Sequence, residues 1–393
     1  MPVPVPPGFT YDFVSDTTLA EMRVENGALV LPSGQRYRTL VLPEAAFALR
    51  PASRAGVERL RAAGAEILAF EEAKRVLAAR TPDVAWNDRA AKLNWIHRRD
   101  GAADWYFVAS PRETPCRVDV AFRTVGRAPE LWNPETGEVT KGVPYAAKDG
   151  VTTVRISFEP CASWFVVFRA PDASVPPTAL SPAPAFDALT PLKVVCGAAE
   201  VTRQEVTGAW TLDFPVDWYA GGSAVKTVEQ PALADWTTLA DPDLKFFSGT
   251  ATCRKTLAVT PPAAGTSLFL DLGDVKHFAD VTVNGRACPT LWKPPFRVDV
   301  TDAAASGALD LVVRVTNLWP NRLIGDDFKP EDCTFDPAAP LMQRHLNGWP
   351  SFIRENRPSP SGKATFATWK HWTKDDTPLP SGLLGPVSLL TVR

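Results

Sequence analysis

Three runs in which apolar and polar residues alternate, residues 279–283, 296–300 and 309–315, fix what the C-terminal half of this chain can become. A period of two puts every second side chain on one face, so each run reads as a half-buried strand. Asn284-Gly285 directly follows the first run. Both central positions of a type I′ turn need a positive φ, so this pair predicts a tight hairpin. The connectors beyond it carry Trp292, Lys293, Trp319, Asn321 and Arg322. A flat ring, a cation, an amide and a guanidinium between stiff strands suit a polar ligand.

Composition narrows the class. The 38 prolines among 393 residues exceed the usual share of roughly 5% and favour turns and linkers over long helices. A net charge of −2 leaves no broad basic field for nucleic acid or an anionic membrane. With 45% apolar residues, two or three domains can each bury a core. There are 13 tryptophans against 3 methionines. Trp is a core residue and also the preferred platform for the C–H face of a sugar ring; most of these are expected in cores. The six cysteines are scattered without a C-x-x-C pair. They read as reduced thiols rather than a zinc or redox site. The start, MPVPVPPGF, has no charged n-region, and no stretch reaches the roughly 20 apolar residues of a membrane span. The expectation is a soluble chain that stays where it is made.

In order, residues 1–85 read as a short α/β segment, with strands at 28–31, 37–42 and 65–70 and helices at 52–63 and 71–80. Strand–helix–strand with short joints implies a parallel pair. No Gly-rich phosphate loop follows either strand, so no nucleotide site is expected. One such unit is small for a core of its own and should lean on the next domain or a second copy. Residues 88–170 read as a β-sandwich, with Trp105, Phe107, Phe122, Trp132, Phe158 and Phe165 expected inside. Residues 171–191 form a Pro-rich linker. Residues 192–393 make a further β-domain, interrupted at 329–363 by an irregular passage of the kind used for lids or partner contacts.

The runs LWKPPFRVDVT (291–301), VTNLWPNRLIGD (315–326), TWKHWTK (368–374) and PLPSGLLGPV (378–387), with HRRDGAADWYFVAS and APELWNPETGEV upstream, resemble the C-terminal part of glycoside hydrolase family 106 α-L-rhamnosidases. They also resemble the sugar-binding β-sandwich of family 2-type hydrolases. The resemblance implies a mostly β, multidomain chain: a glutaminase-like α/β remnant, a β-sandwich and a galactose-binding-like jelly roll. It implies exported relatives, a carbohydrate partner and no cofactor beyond a structural calcium, for which no ligands stand out. The family's catalytic carboxylates lie on a preceding (β/α)₈ barrel, and no position here corresponds to them.

Glycoside hydrolysis needs two carboxyl groups about 5–9.5 Å apart, one of them protonated. Asp326 with Asp327, Glu331 with Asp332, and Asp375 with Asp376 are adjacent pairs. Neighbours on an extended strand point to opposite faces, so each pair reads first as solvated loop carboxylates; Asp326 and Asp375 are the catalytic alternatives. His97, His277, His345 and His371 show no metal-binding spacing. The Ser-Gly pairs lack a nucleophile elbow and read as turns. The candidate ligand residues are therefore Trp292, Lys293, Trp319, Asn321, Arg322, Trp369, His371 and Trp372. Against that stands a structural reading: residues 318–322 form a rigid corner in which Arg322 holds loop carbonyls, or a face packed on another domain. The sequence favours a carbohydrate-associated accessory protein that recognises glycans or completes a separately encoded barrel. An active glycoside hydrolase with its own carboxylates, or the tail of a larger one, is the alternative.

Overall fold

The computed structural model describes residues 5–44, 49–169, 176–177, 180, 186–187, 189–197, 200–216, 224–336 and 346–393. His345 and most of the expected 171–191 linker lie outside the described residues. The chain is mostly β and divides into two compact units. The first comprises Met1–Arg112, Cys116–Phe158 and Ala162–Phe186; the second comprises Glu113–Pro115, Glu159–Cys161 and Asp187–Arg393. Among the described residues, no helix is long and apolar enough to cross a membrane. All six cysteines are free thiols.

In the first unit, strand Thr39–Val41 runs parallel to Glu66–Leu68 across the helix Pro51–Ala62, the expected βαβ crossover. Pro51 suits the first helical turn because its missing N–H would have no partner there. Gly64, at φ 86°, takes the left-handed conformation that ends the helix. Val57 and Leu60 bury against Leu19, Met22 and Leu29. The next helix, Phe70–Ala78, buries Phe70, Ala73 and Leu77.

The sandwich of this unit has two antiparallel sheets. The five-stranded sheet orders Val139–Thr140, Pro129–Trp132, Ser163–Phe168, Ala103–Ala109 and Asn94–Asp100. The four-stranded sheet orders Tyr145–Lys148, Val151–Phe158, Cys116–Phe122 and Val84–Trp86. Phe122 and Phe158 are fully buried, as expected. Trp105, Phe107, Trp132 and Phe165 are not: they stand half-buried on the outer face, Trp105 against Trp132 and Phe107 against Phe165. The core takes Tyr106, Val108, Val166 and Phe168 instead.

Asp104 goes inward with them. It shares the inward parity of Tyr106 and Val108 and is 1% exposed. It accepts hydrogen bonds from His97 Nε2 at 2.9 Å, Arg99 Nε at 2.9 Å and Arg127 Nη1 at 2.8 Å. The other ring nitrogen of His97 meets Asp83 at 3.2 Å, and Asp83 also pairs with Arg123. A buried carboxylate is tolerated because it is multiply paired.

The second unit is also a sandwich. Its six-stranded sheet orders Val225–Gln230, Trp210–Pro215, Thr250–Ala258, Ala308–Thr316, Phe278–Val283 and Arg286–Ala287. Its four-stranded sheet orders Val201–Glu205, Ser388–Val392, Ser267–Asp271 and Arg297–Asp299. Inward residues of both sheets, among them Leu212, Phe214, Val281, Leu311, Leu270, Val298 and Leu389, share one core. The Asn284-Gly285 turn forms as the sequence predicts, with φ of 51° and 77° and Val283 opposite Arg286. Asn284 Nδ2 donates to Ala303 O at 3.1 Å and Ala308 O at 3.0 Å, while its Oδ1 accepts from Asp310 N at 2.7 Å. The turn side chain thereby fixes the entry to the neighbouring strand.

Candidate functional site

The strand Ala308–Thr316 leads into the short helix Pro320–Asp326, which gathers the polar residues of the corner. This helix separates the sequence candidates into two groups. Asn321 and Arg322 are 1% and 5% exposed and turn inward. Asn321 Nδ2 donates to Leu379 O at 2.8 Å and Ser381 Oγ at 2.9 Å, and its Oδ1 accepts from Leu379 N at 2.7 Å. The Arg322 amide donates to Ser248 Oγ at 3.0 Å, and its guanidinium to Asp243 O at 3.2 Å. Both residues hold loops in place, as the rigid-corner reading expects. Trp292 and Trp319 are instead 59% and 57% exposed, and Lys293 is half-buried, with Nζ 3.3 Å from Pro294 O. Phe278 lies opposite Thr316 and beside the Ala279–Leu291 bridge. Exposed Phe278, Trp292, Leu318 and Trp319 therefore come from one end of the six-stranded sheet.

The other group meets in a cleft of about 340 Å³, within the usual range for ligand pockets. Its aromatic wall holds Phe366, Trp369, His371 and Trp372. Ring centroids lie 5.1 Å apart for Trp369 and His371, and 5.1 Å for His371 and Trp372. The charged wall holds Asp326, Asp327, Glu331, Asp332, Lys363 and Lys370. Lys370 Nζ is 2.6 Å from Asp327 Oδ1 and also binds Glu331. Lys363 Nζ lies 3.2 Å from Glu331 Oε2 and 3.9 Å from Asp332 Oδ1. Glu331 thus bridges the two ammonium groups.

Burial would raise the Asp327 carboxyl, but Lys370 and the Lys374 amide outweigh it and hold it below its ordinary range. Burial would lower Lys370, but Asp327 and Glu331 hold it above its ordinary range. Both shifts favour the charged forms near neutrality. Asp326, 2% exposed, is a loop anchor. Its Oδ2 accepts from Ala364 N at 2.8 Å, Thr365 N at 2.7 Å and Thr365 Oγ1 at 2.8 Å, and its Oδ1 is 3.2 Å from Lys329 Nζ. Asp375 sits exposed on a turn.

Donor atoms of Glu331, Asp332 and Cys333 lie within 4.8 Å of one another. They do not suit calcium, which takes six to eight oxygen ligands. Both carboxylates are bound to lysines, and the Cys333 thiol is pushed up to about 11 by burial and then by Asp332 and Glu331, so it stays protonated.

A larger cleft of about 1010 Å³ opens in the first unit beside strand Thr39–Val41. Its polar groups bind one another, Tyr37 to Asp12, Ser53 to Asp16, Arg80 to Glu66 and Arg123 to Asp83. It is an apolar gap along a strand that pairs on one side only among the described residues.

Lys363, Lys370 and Phe366 escaped the sequence reading. The alternation of Trp369 and His371 with Lys370 and Trp372 was its one local signal; the pairing of Lys363 and Lys370 with Glu331 spans more than thirty residues.

Comparison with known proteins adds three findings. Residues 53–147 match the sequence profile of the α-L-rhamnosidase family, glycoside hydrolase family 106. The whole chain superposes on a rhamnosidase of Novosphingobium sp. PP1Y at 27% identity and a TM-score of 0.65. Over those residues, and in its fold, this chain resembles the family 106 α-L-rhamnosidases. It is also 41% identical, over 186 residues and 47% of its length, to a provisionally named β-glucuronidase of Formosa agariphila. These relatives of family 106 and beyond are much longer: the match spans 36% of the Novosphingobium rhamnosidase and 15% of the Formosa protein.

Proposed function

We propose that this glycoside hydrolase-related chain is an accessory part that recognises carbohydrate through the cleft of its second unit. The observation that carries the reading is the meeting of Phe366, Trp369, His371 and Trp372 with a row of ion-paired carboxylates and lysines in about 340 Å³. Sugars are bound by ring faces that stack on their C–H groups and by charged groups that hydrogen-bond their hydroxyls. A catalytic role has weaker support, because Asp326 is spent on loop donors and Asp327 is held ionised. General-acid hydrolysis needs a carboxyl kept protonated. The exposed end-patch of Phe278, Trp292, Leu318 and Trp319 favours a second, compatible role as the face that meets a catalytic partner.

Calorimetric titration with rhamnose and neutral rhamnosides tests the reading. Saturable binding that is lost in Trp369→Ala and retained in Trp292→Ala places recognition in the cleft. Absence of binding by the folded protein refutes it and leaves the aromatic residues as domain contacts. Turnover of aryl rhamnosides, abolished by Asp326→Asn, would replace it with the hydrolase reading.

A further inference from the structure

The cleft of the second unit is unusual in how its cations are used. Its lining side chains offer four carboxylates, on Asp326, Asp327, Glu331 and Asp332, and two ammonium groups, on Lys363 and Lys370. Asp326 is offset from behind by Lys329 at 3.2 Å. The remaining three carboxylates face two lysines. Each lysine already meets two of them: Lys370 holds Asp327 and Glu331, and Lys363 holds Glu331 and Asp332. Lys363 and Lys370 are largely buried, at 11% and 23% side-chain exposure, whereas Glu331 is 46% exposed at the mouth.

We propose that Glu331 is a specificity residue: by occupying both cleft lysines it reserves the cleft for uncharged sugars and excludes uronic acids. This rests on the carbohydrate reading given above. A uronate entering the cleft brings a further negative charge beside Asp327, Glu331 and Asp332. The two cleft lysines that could receive it are engaged by Asp327, Asp332 and, both together, by Glu331, so the ligand must compete with the side chain the two lysines share. A neutral sugar meets no such barrier. Its hydroxyls donate to carboxylate oxygens, each of which has lone pairs beyond those the lysines use. Like-charge juxtaposition is an established means of rejecting a wrong ligand.

Replacing Glu331 by Gln keeps the shape of the side chain and removes its charge. The cleft then loses one negative charge and each ammonium group loses one of its carboxylates, while Lys370 keeps Asp327 and Lys363 keeps Asp332; the variant should gain affinity for a uronate. A gain of binding cannot come from misfolding. Matched ligands, methyl galactoside and methyl galacturonoside, are titrated calorimetrically into the full chain at low salt, together with methyl rhamnoside. The native chain is expected to bind the neutral glycosides and to take the uronoside at least tenfold more weakly. In Glu331→Gln the ratio should move toward the uronoside by roughly fivefold, on the scale of one partly exposed ion pair. Glu355→Gln removes one charge outside the cleft, where Glu355 pairs with Arg357 at 2.6 Å; it should leave the ratio as in the native chain. Equal binding of both ligands by the native chain, or an unchanged ratio in Glu331→Gln, overturns the role of Glu331 while leaving carbohydrate recognition intact. Binding of no glycoside at all removes the carbohydrate reading and this inference with it.

Discussion

Asp326 offers the sharpest test, because two different roles for it predict different outcomes. In Asp326→Ala the acceptor for Ala364 N, Thr365 N and Thr365 Oγ1 is lost, and Lys329 loses its carboxylate and keeps Gly362 O. A donor left without an acceptor in a buried setting costs about 1–3 kcal/mol. Water reaches this half-buried loop, so the low end applies to each of three donors, or about 3 kcal/mol in all. Local opening should then carry amide exchange of residues 363–366 up by about a hundredfold. Hydrogen exchange read by mass spectrometry on peptides spanning 360–370 measures this directly. Asp326→Asn retains a carbonyl acceptor and should show a smaller rise. Because this loop presents Lys363 and Phe366 to the cleft, glycan binding should weaken in parallel with the exchange. Unchanged exchange in Asp326→Ala would refute the anchor. If Asp326→Asn instead abolished hydrolysis of an aryl glycoside without moving exchange, the residue would be a catalytic carboxylate.

Other consequences concern stability. Asp104→Ala leaves half-buried Arg127 without its anion and His97 with Asp83 alone and should cost about 3 kcal/mol, the low end for breaking a buried pair; urea unfolding of the intact chain reads it. Gly382→Ala puts a methyl 2.4 Å from the Trp236 indole at a φ of 110°. That clash cannot be relieved by a flexible tip, so the second unit should lose about 3 kcal/mol or fail to fold. Asp83 and Asp104 are held below their ordinary range by paired His and Arg against the opposing effect of burial, and Asp327 by Lys370. Depressed carboxylates contribute stability that is present above the unfolded value and lost as pH falls through the folded one. Thermal midpoints should therefore hold through neutrality and drop once pH falls below about 4.

The strand pattern was legible because alternation and turn chemistry are local. Asn284-Gly285 specifies its own geometry, and the spacing of Val57 and Leu60 marks a helix face. The first sandwich was misread where Tyr106, Phe107 and Val108 offer apolar residues to both faces. Hydrophobicity then cannot fix the parity, and the one charged neighbour, Asp104, points inward because distant Arg127 compensates it. Asn321 and Arg322 looked like ligand groups because polar residues in a connector usually meet solvent. Pro320 at the first position of a helix was the overlooked sign that the connector coils and turns them inside. The cleft itself depends on Glu331 meeting Lys363 and Lys370, a pairing set by tertiary structure.

The position of Ser388–Val392 has a further consequence, for biosynthesis. This strand lies between Val201–Glu205 and Ser267–Asp271, so the four-stranded sheet closes on residues separated by nearly the full length of the second unit. Until the ribosome has released residue 392, Val201–Glu205 has no strand to pair with and Ser267–Asp271 has only Arg297–Asp299. The unit must wait as an unclosed six-stranded layer with its apolar face uncovered. Non-local pairing of this kind slows folding, and it makes Ser388–Val392 a gate on when the second unit can close its core.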